Sequence, residues 1–153
     1  MKKTAFIGHR LVFQSTLKDQ LTTAIERQIQ SGCNCFTMGT HGEFDKLALD
    51  TCLQLKRKYP DILIELVLTS LNSLEYITPC ADVKTVMYEI ETAHYKRQII
   101  LSNRLMIDTC DTLICYVNEN AYRSGAKTAM RYAMKKQLNI INLADKNSAL
   151  IKK

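Results

Sequence analysis

The residues of this chain best suited to chemistry sit in three polar turns, each following an apolar run. Gly8-His9-Arg10 follows Thr4-Ala5-Phe6-Ile7, and Gly39-Thr40-His41-Gly42 follows Phe36-Thr37-Met38. Arg123-Ser124-Gly125-Ala126-Lys127-Thr128 comes after the apolar run 113–117. Gly8 and Gly39 allow close approach of backbone to a ligand, and Arg10 offers a planar fork suited to phosphate or carboxylate. Gly42 opens the stretch Glu43-Phe44-Asp45, where backbone N–H groups at a helix start are free to bind an anion. Ser124, Gly125 and Thr128 combine small residues with hydroxyls and can wrap a phosphate without steric conflict. The chemistry expected is recognition of a phosphate-bearing small molecule, with Arg10 on phosphate.

Each turn has a plainer alternative. Gly8-His9-Arg10 reads equally as a glycine turn with two solvated side chains. Glu43 and Asp45 suit the first turn of a helix through its dipole. Ser124 suits an ordinary N-cap. Asn103 and Arg104 fall on a helix, and their role depends on the face they occupy. Asp111 reads as a turn or capping residue near the opposite edge of the sheet. His9 and His41 would approach each other if their strands are neighbours, but no third metal ligand is evident, and no cofactor signature is present.

Several activities are excluded by spacing. The second turn fails the dinucleotide pattern Gly-x-Gly-x-x-Gly, and the third carries one glycine where a P-loop needs two. Glycosidic cleavage requires a carboxylate beside the anomeric carbon; Glu43, Asp45, Asp108 and Glu119 are the residues that would have to supply it.

The elements that must position these turns alternate. Residues 4–8, 34–39, 62–68, 112–117 and 139–143 read as strands, almost unbroken apolar runs apart from Glu65 in the third. Residues 15–31, 43–58, 90–107 and 124–136 read as helices. Leu17, Leu21, Ala24, Ile25 and Ile29 recur at helical spacing in the first, with Ser15 or Thr16 as N-cap and Gly32 beyond its end. Phe44, Leu47, Ala48, Leu49, Cys52 and Leu55 form the inner stripe of the second. The stretch 69–89, with Pro79, reads as an irregular crossover, and residues 146–153 as a loosely held tail. Apolar strands alternating with helices predict a mostly parallel sheet of about five strands covered on both faces. The fold class is α/β, a three-layer Rossmann-like single domain over 1–153, in which loops at the strand carboxyl ends line the ligand crevice.

Composition sets the boundaries. The 153 residues are 46% hydrophobic, enough for one self-sufficient core. No apolar run is long enough to span a membrane, and the N-terminus lacks the features of a signal peptide. The net charge of +6 is scattered, much of it at the chain ends, which argues against nucleic acid as partner while favouring an anionic ligand. The six cysteines, at 33, 35, 52, 80, 110 and 115, form no Cys-x-x-Cys pair and lie mostly among apolar residues. They read as reduced, buried side chains in a cytoplasmic protein.

Taken together, these segments resemble the SLOG superfamily of Rossmann-like proteins, which includes DprA and the lonely-guy phosphoribohydrolases, and they are most similar to its YpsA-like branch. The resemblance rests on Gly8-His9-Arg10, on Gly39 with Gly42-Glu43-Phe44-Asp45, and on Asn103 with Asp108 and Asp111. Ser124-Gly125 leading to Thr128 and Tyr132-Ala133 completes it. It implies a pocket for a nucleotide or an ADP-ribose-type ligand, sensed in some members and processed in others, and relatives often form homo-oligomers. Ser102 stands where the family often has an arginine, so Arg104 or Arg97 would have to replace that contact. Nothing matches the Pro-Gly-Gly-x-Gly-Thr segment of the phosphoribohydrolases. Lys127-Thr128-Ala129-Met130-Arg131-Tyr132 lacks the glutamate of the similar nucleoside deoxyribosyltransferases. The expected function is therefore nucleotide binding or sensing, with N-glycoside hydrolysis or transfer on nucleoside phosphates as the alternative. A third reading is a partner-binding scaffold using the 70–90 segment.

Overall fold

The alternation of apolar runs and amphipathic stretches becomes six strands and four helices in a computed structural model that describes residues 2–68, 83–87, 95–120 and 124–144. In chain order these are Lys2–Gly8 (β1), Leu17–Gln30 (α1), Cys33–Met38 (β2), Glu43–Lys58 (α2), Leu63–Leu68 (β3), Val83–Met87 (β4), Tyr95–Thr109 (α3), Thr112–Tyr116 (β5), Gly125–Lys135 (α4) and Asn139–Asn142 (β6). The strands form one sheet in the order β4-β3-β2-β1-β5-β6, and every pairing is parallel. The three-layer Rossmann-like α/β fold is thus what the sequence implies.

The sixth strand, β4, lies inside the stretch expected to be irregular. Val83-Lys84-Thr85-Val86-Met87 occupies a sheet edge, where a strand tolerates the polar residues that hide it from an apolar-run criterion. The rest of that stretch, the start of the third expected helix and the tail from 146 lie outside the described residues.

Period-two alternation divides the strands between two cores. Phe6, Ile64, Leu66 and Ile114 face α1 and α2, while Ala5, Ile7, Leu113 and Cys115 face α3 and α4. The helices answer at their own period: Phe44, Ala48, Thr51, Cys52 and Leu55 are the buried stripe of α2, with Leu47 and Leu49 only partly buried. Leu17, Leu21, Ala24 and Ile25 do the same for α1. Each large apolar side chain enclosed this way contributes about 1.5–3 kcal/mol. No helix among the described residues is long and apolar enough to cross a membrane.

Glu65 interrupts the third apolar run because it has partners inside. Its Oε1 accepts from Lys3 Nζ at 2.8 Å and from the Cys35 thiol at 2.9 Å. A buried carboxylate is tolerated only when paired and hydrogen-bonded in this way. Burial pushes the Cys35 thiol up to about 12, with Glu65 adding to the shift, and burial alone raises Cys115 to about 12. These thiols are packing groups rather than nucleophiles.

The strand order places the site. From β1 the chain moves through α1 towards β2, and from β5 it moves through α4 in the opposite direction to β6. The carboxyl ends of the neighbouring strands β1 and β5 therefore form a topological switch point, with a crevice between them. Here β1 ends hard against α2: a Cβ on Gly8 would stand 2.4 Å from the Phe44 ring. Gly8→Ala should therefore lose about 1–3 kcal/mol of stability in urea unfolding through overpacking. Gly125→Ala, whose Cβ meets nothing within 4 Å, should stay within about 0.5 kcal/mol of the parent.

Candidate functional site

A cavity of about 780 Å³ opens at the switch point. From β1 and its turn come Ile7, Gly8, His9 and Arg10, and from the β2–α2 connection His41 and Asp45. Ile99, Ile100 and Asn103 of α3 form a further wall, and the start of α4 contributes Ser124, Gly125, Ala126 and Thr128. The structure thus brings together eight of the residues singled out in the sequence: Gly8, His9, Arg10, Asp45, Asn103, Ser124, Gly125 and Thr128.

The remaining four stand elsewhere. Gly42 is a packing position, since a Cβ there would lie 2.6 Å from Arg10 Cα. Gly39 backs the Asp45 carboxyl, and Thr40 does not line the cavity. Arg104 lies over the Tyr132 ring, 5.4 Å from its centroid, facing a small neighbouring recess. His41 and the isoleucines of α3 join the lining instead. His41 stands inside a turn already marked by its glycines, so position in that turn was the available signal. An apolar helix residue facing a cavity looks the same in sequence as one facing a core.

At the start of α2 the Glu43 amide is already taken up within the protein. Glu43 N–H donates to Arg10 O at 2.9 Å, and His41 N–H donates to Asp45 Oδ2 at 2.9 Å. The Glu43 carboxylate reaches back to accept from Val12 N–H at 2.8 Å. The two Glu43 bonds clasp the β1–α1 turn onto α2 and hold the Arg10 backbone beside the cavity, with its side chain exposed.

The start of α4 is arranged differently. Ser124 is its N-cap, with Oγ accepting from Lys127 N–H at 3.2 Å. The same oxygen lies 3.2 Å from His9 Nδ1, while His9 Nε2 accepts from Asn118 N–H at 2.8 Å. A ring nitrogen that accepts from an amide carries no proton, so neutral His9 keeps its proton on Nδ1 and donates it to Ser124 Oγ. Both acceptor sites of the serine oxygen are then used, and its O–H is left as a donor. Gly125 and Ala126, whose N–H groups open the helix, line the cavity beside it. The His9 ring is held edge-on to Tyr116, which stacks on Phe44, with centroids 5.9 and 6.1 Å apart.

Electrostatics differ between the walls. Burial pushes the Asp45 carboxyl from 3.8 up to about 6, against the opposing pull of the His41 N–H bond. Burial, and then the Arg10 charge, hold His41 below the ordinary histidine value. His41 Nε2 is buried and has no hydrogen-bond partner among the described residues. Asp108 and Asp111 lie at the far edge of the sheet. Asp111 Oδ2 accepts from Lys3 N–H at 2.9 Å, and Asp108 accepts from Tyr132 Oη at 2.7 Å. No group of three His, Cys, Asp or Glu side chains among the described residues is placed to hold a metal ion. Comparison with known proteins adds no relative: no family model matches the chain, and no curated protein matches its sequence.

The raised Asp45 pKa has a sign that can be measured. Below about pH 4 the carboxyl is protonated in both folded and unfolded chains and imposes no penalty. Between about 4 and 6 the unfolded chain ionises first, so stability falls as pH rises, and above about 6 the full penalty remains. Asp45→Asn keeps an oxygen for the His41 N–H and removes the charge. Denaturation at pH 8 should find it more stable than the parent by about 2 kcal/mol, with the difference vanishing near pH 4.

Proposed function

We propose that this protein binds a nucleotide or a nucleotide-derived ligand of the ADP-ribose type in the switch-point cavity. The observation that carries the reading is the convergence on one cavity of the exposed Arg10, the Ser124 O–H and the opening turn of α4. Guanidinium, hydroxyl and helix N-terminal amides form a donor set for phosphate. The volume of about 780 Å³ lies in the range of pockets that enclose small organic ligands. Asn103 supplies an amide, and Ile99 and Ile100 offer an apolar surface against which a base can lie. The SLOG resemblance of the same turns points in the same direction.

Cleavage of an N-glycosidic bond is the second reading, favoured by one observation. Of Glu43, Asp45, Asp108 and Glu119, Asp45 alone lines the cavity, and its carboxyl is raised to about 6. A carboxylic acid poised near neutrality is suited to protonating a leaving group. Release of free base from nucleoside monophosphates, abolished by Asp45→Asn, is its signature.

Isothermal titration with mononucleotides, nucleoside diphosphates and ADP-ribose tests the binding reading. At least one ligand should bind, and Arg10→Ala should weaken it about 10-fold or more, the loss expected for a charge-assisted contact. If the folded protein binds no member of the panel, the reading is wrong.

A further inference from the structure

We propose that His9 is a positioning residue, acting on the ligand only through Ser124, which it makes an obligate hydrogen-bond donor at the phosphate end of the cavity. This role rests on the nucleotide reading. It replaces the direct ligand contact expected of His9 from the sequence.

The imidazole is fixed before it reaches the serine. The backbone N–H of His9 donates to Tyr116 O at 3.2 Å, and the ring stands edge-on to the Tyr116 ring. Its Nε2 accepts from Asn118 N–H at 2.8 Å. Asn118 is held in turn, because its Oδ1 accepts from Asn120 N–H at 2.9 Å. The end of β5 and the connection after it therefore set both the place and the tautomer of a side chain carried by β1. A ring whose Nε2 accepts is neutral and carries its proton on Nδ1.

That proton decides what Ser124 can do. A serine oxygen has two lone pairs and one proton, and the proton ordinarily rotates to whichever partner is offered. Here Lys127 N–H takes one lone pair at 3.2 Å, and His9 Nδ1–H takes the other, also at 3.2 Å. Ser124 therefore has no lone pair to offer a ligand, and the one bond left to it is a bond that it donates. Its place on the cavity wall, beside the first amides of α4, makes a subsite of donors. Phosphate oxygens without protons suit such a set. The same tautomer rules out a Ser–His nucleophilic pair, since an imidazole that donates to the hydroxyl cannot also take its proton. Without His9 one lone pair is free and the hydroxyl rotates, so the donor must be ordered again whenever phosphate arrives.

Two replacements separate this role from simple support of the β5–α4 connection. His9→Asn puts an amide N–H near the place of Nδ1, keeping the donor to Ser124 and losing the acceptor for Asn118. His9→Gln reaches the place of Nε2, keeping the acceptor for Asn118 and losing the donor to Ser124. Affinity for AMP, ADP and ADP-ribose, by titration calorimetry, should fall by no more than about 2-fold in His9→Asn and by about 5-fold in His9→Gln. Equal losses, or the reverse order, overturn the proposal. In a Ser124→Ala background His9→Gln should cause no further loss, and a second loss of about 5-fold there also overturns it. Nitrogen NMR of the unliganded parent, assigned against His9→Asn, should find Nδ1 of His9 protonated and Nε2 bare. The opposite tautomer overturns the proposal by itself, which covers the case in which the variants fold poorly. If the parent binds none of the three ligands, the nucleotide reading fails and the positioning role with it. Binding that is indifferent to the choice between asparagine and glutamine defeats the positioning role alone.

Discussion

The close approach of the first strand to the second helix is the contact on which the rest of the site depends. Gly8 lies against the Phe44 ring at a distance no side chain allows, and Gly42 lies against the Arg10 backbone in the same way. Arg10 O and Glu43 N–H, with Glu43 Oε2 and Val12 N–H, then lock the two segments together. The clasp does two things at once. It closes one side of the switch-point crevice, and it takes up the Glu43 amide at the start of α2. The open helix start therefore lies at the α4 end, where Ser124 caps the helix and His9 donates to the serine oxygen. Phe44 links both sides, since its ring also stacks on Tyr116 beneath His9.

That division gives the cavity a polarity. Donors gather at Arg10, Ser124 and the first turn of α4, while the Asp45 carboxyl stands on the α2 wall. A carboxyl raised to about 6 and a buried imidazole nitrogen without a partner among the described residues are both unfavourable. Neither contributes to the two cores, which are filled independently by the strand faces and helix stripes.

Much of the site was legible because turns at strand ends carry their own chemistry. Glycine, arginine and serine following an apolar run mark a strand end whatever the fold, and the parallel-sheet pattern puts all such ends at one edge. Eight of the twelve residues read this way line one cavity. Gly42 escaped because a glycine needed for packing between loops has the same signature as one needed near a ligand. Arg104 escaped because helical spacing does not say which neighbour a long side chain will cover, and Tyr132 covers it here. His41 was visible as a residue but not as an unpartnered one, since partners belong to three-dimensional neighbours.

What the sequence determined by itself follows from local periodicity. Strands and helices, their alternation, the parallel sheet and the helix limits of α2 all derive from patterns a few residues long. The edge strand β4 was missed because a strand at the sheet edge need not be an unbroken apolar run. Tertiary structure decided everything that depends on distant segments meeting: the strand order that makes β1 and β5 the switch point, the clasp between Arg10 and Glu43, and the raised Asp45 carboxyl. The physical reason is that burial and hydrogen-bond partnership are properties of a neighbourhood assembled from four separate stretches of chain, whereas periodicity is a property of one.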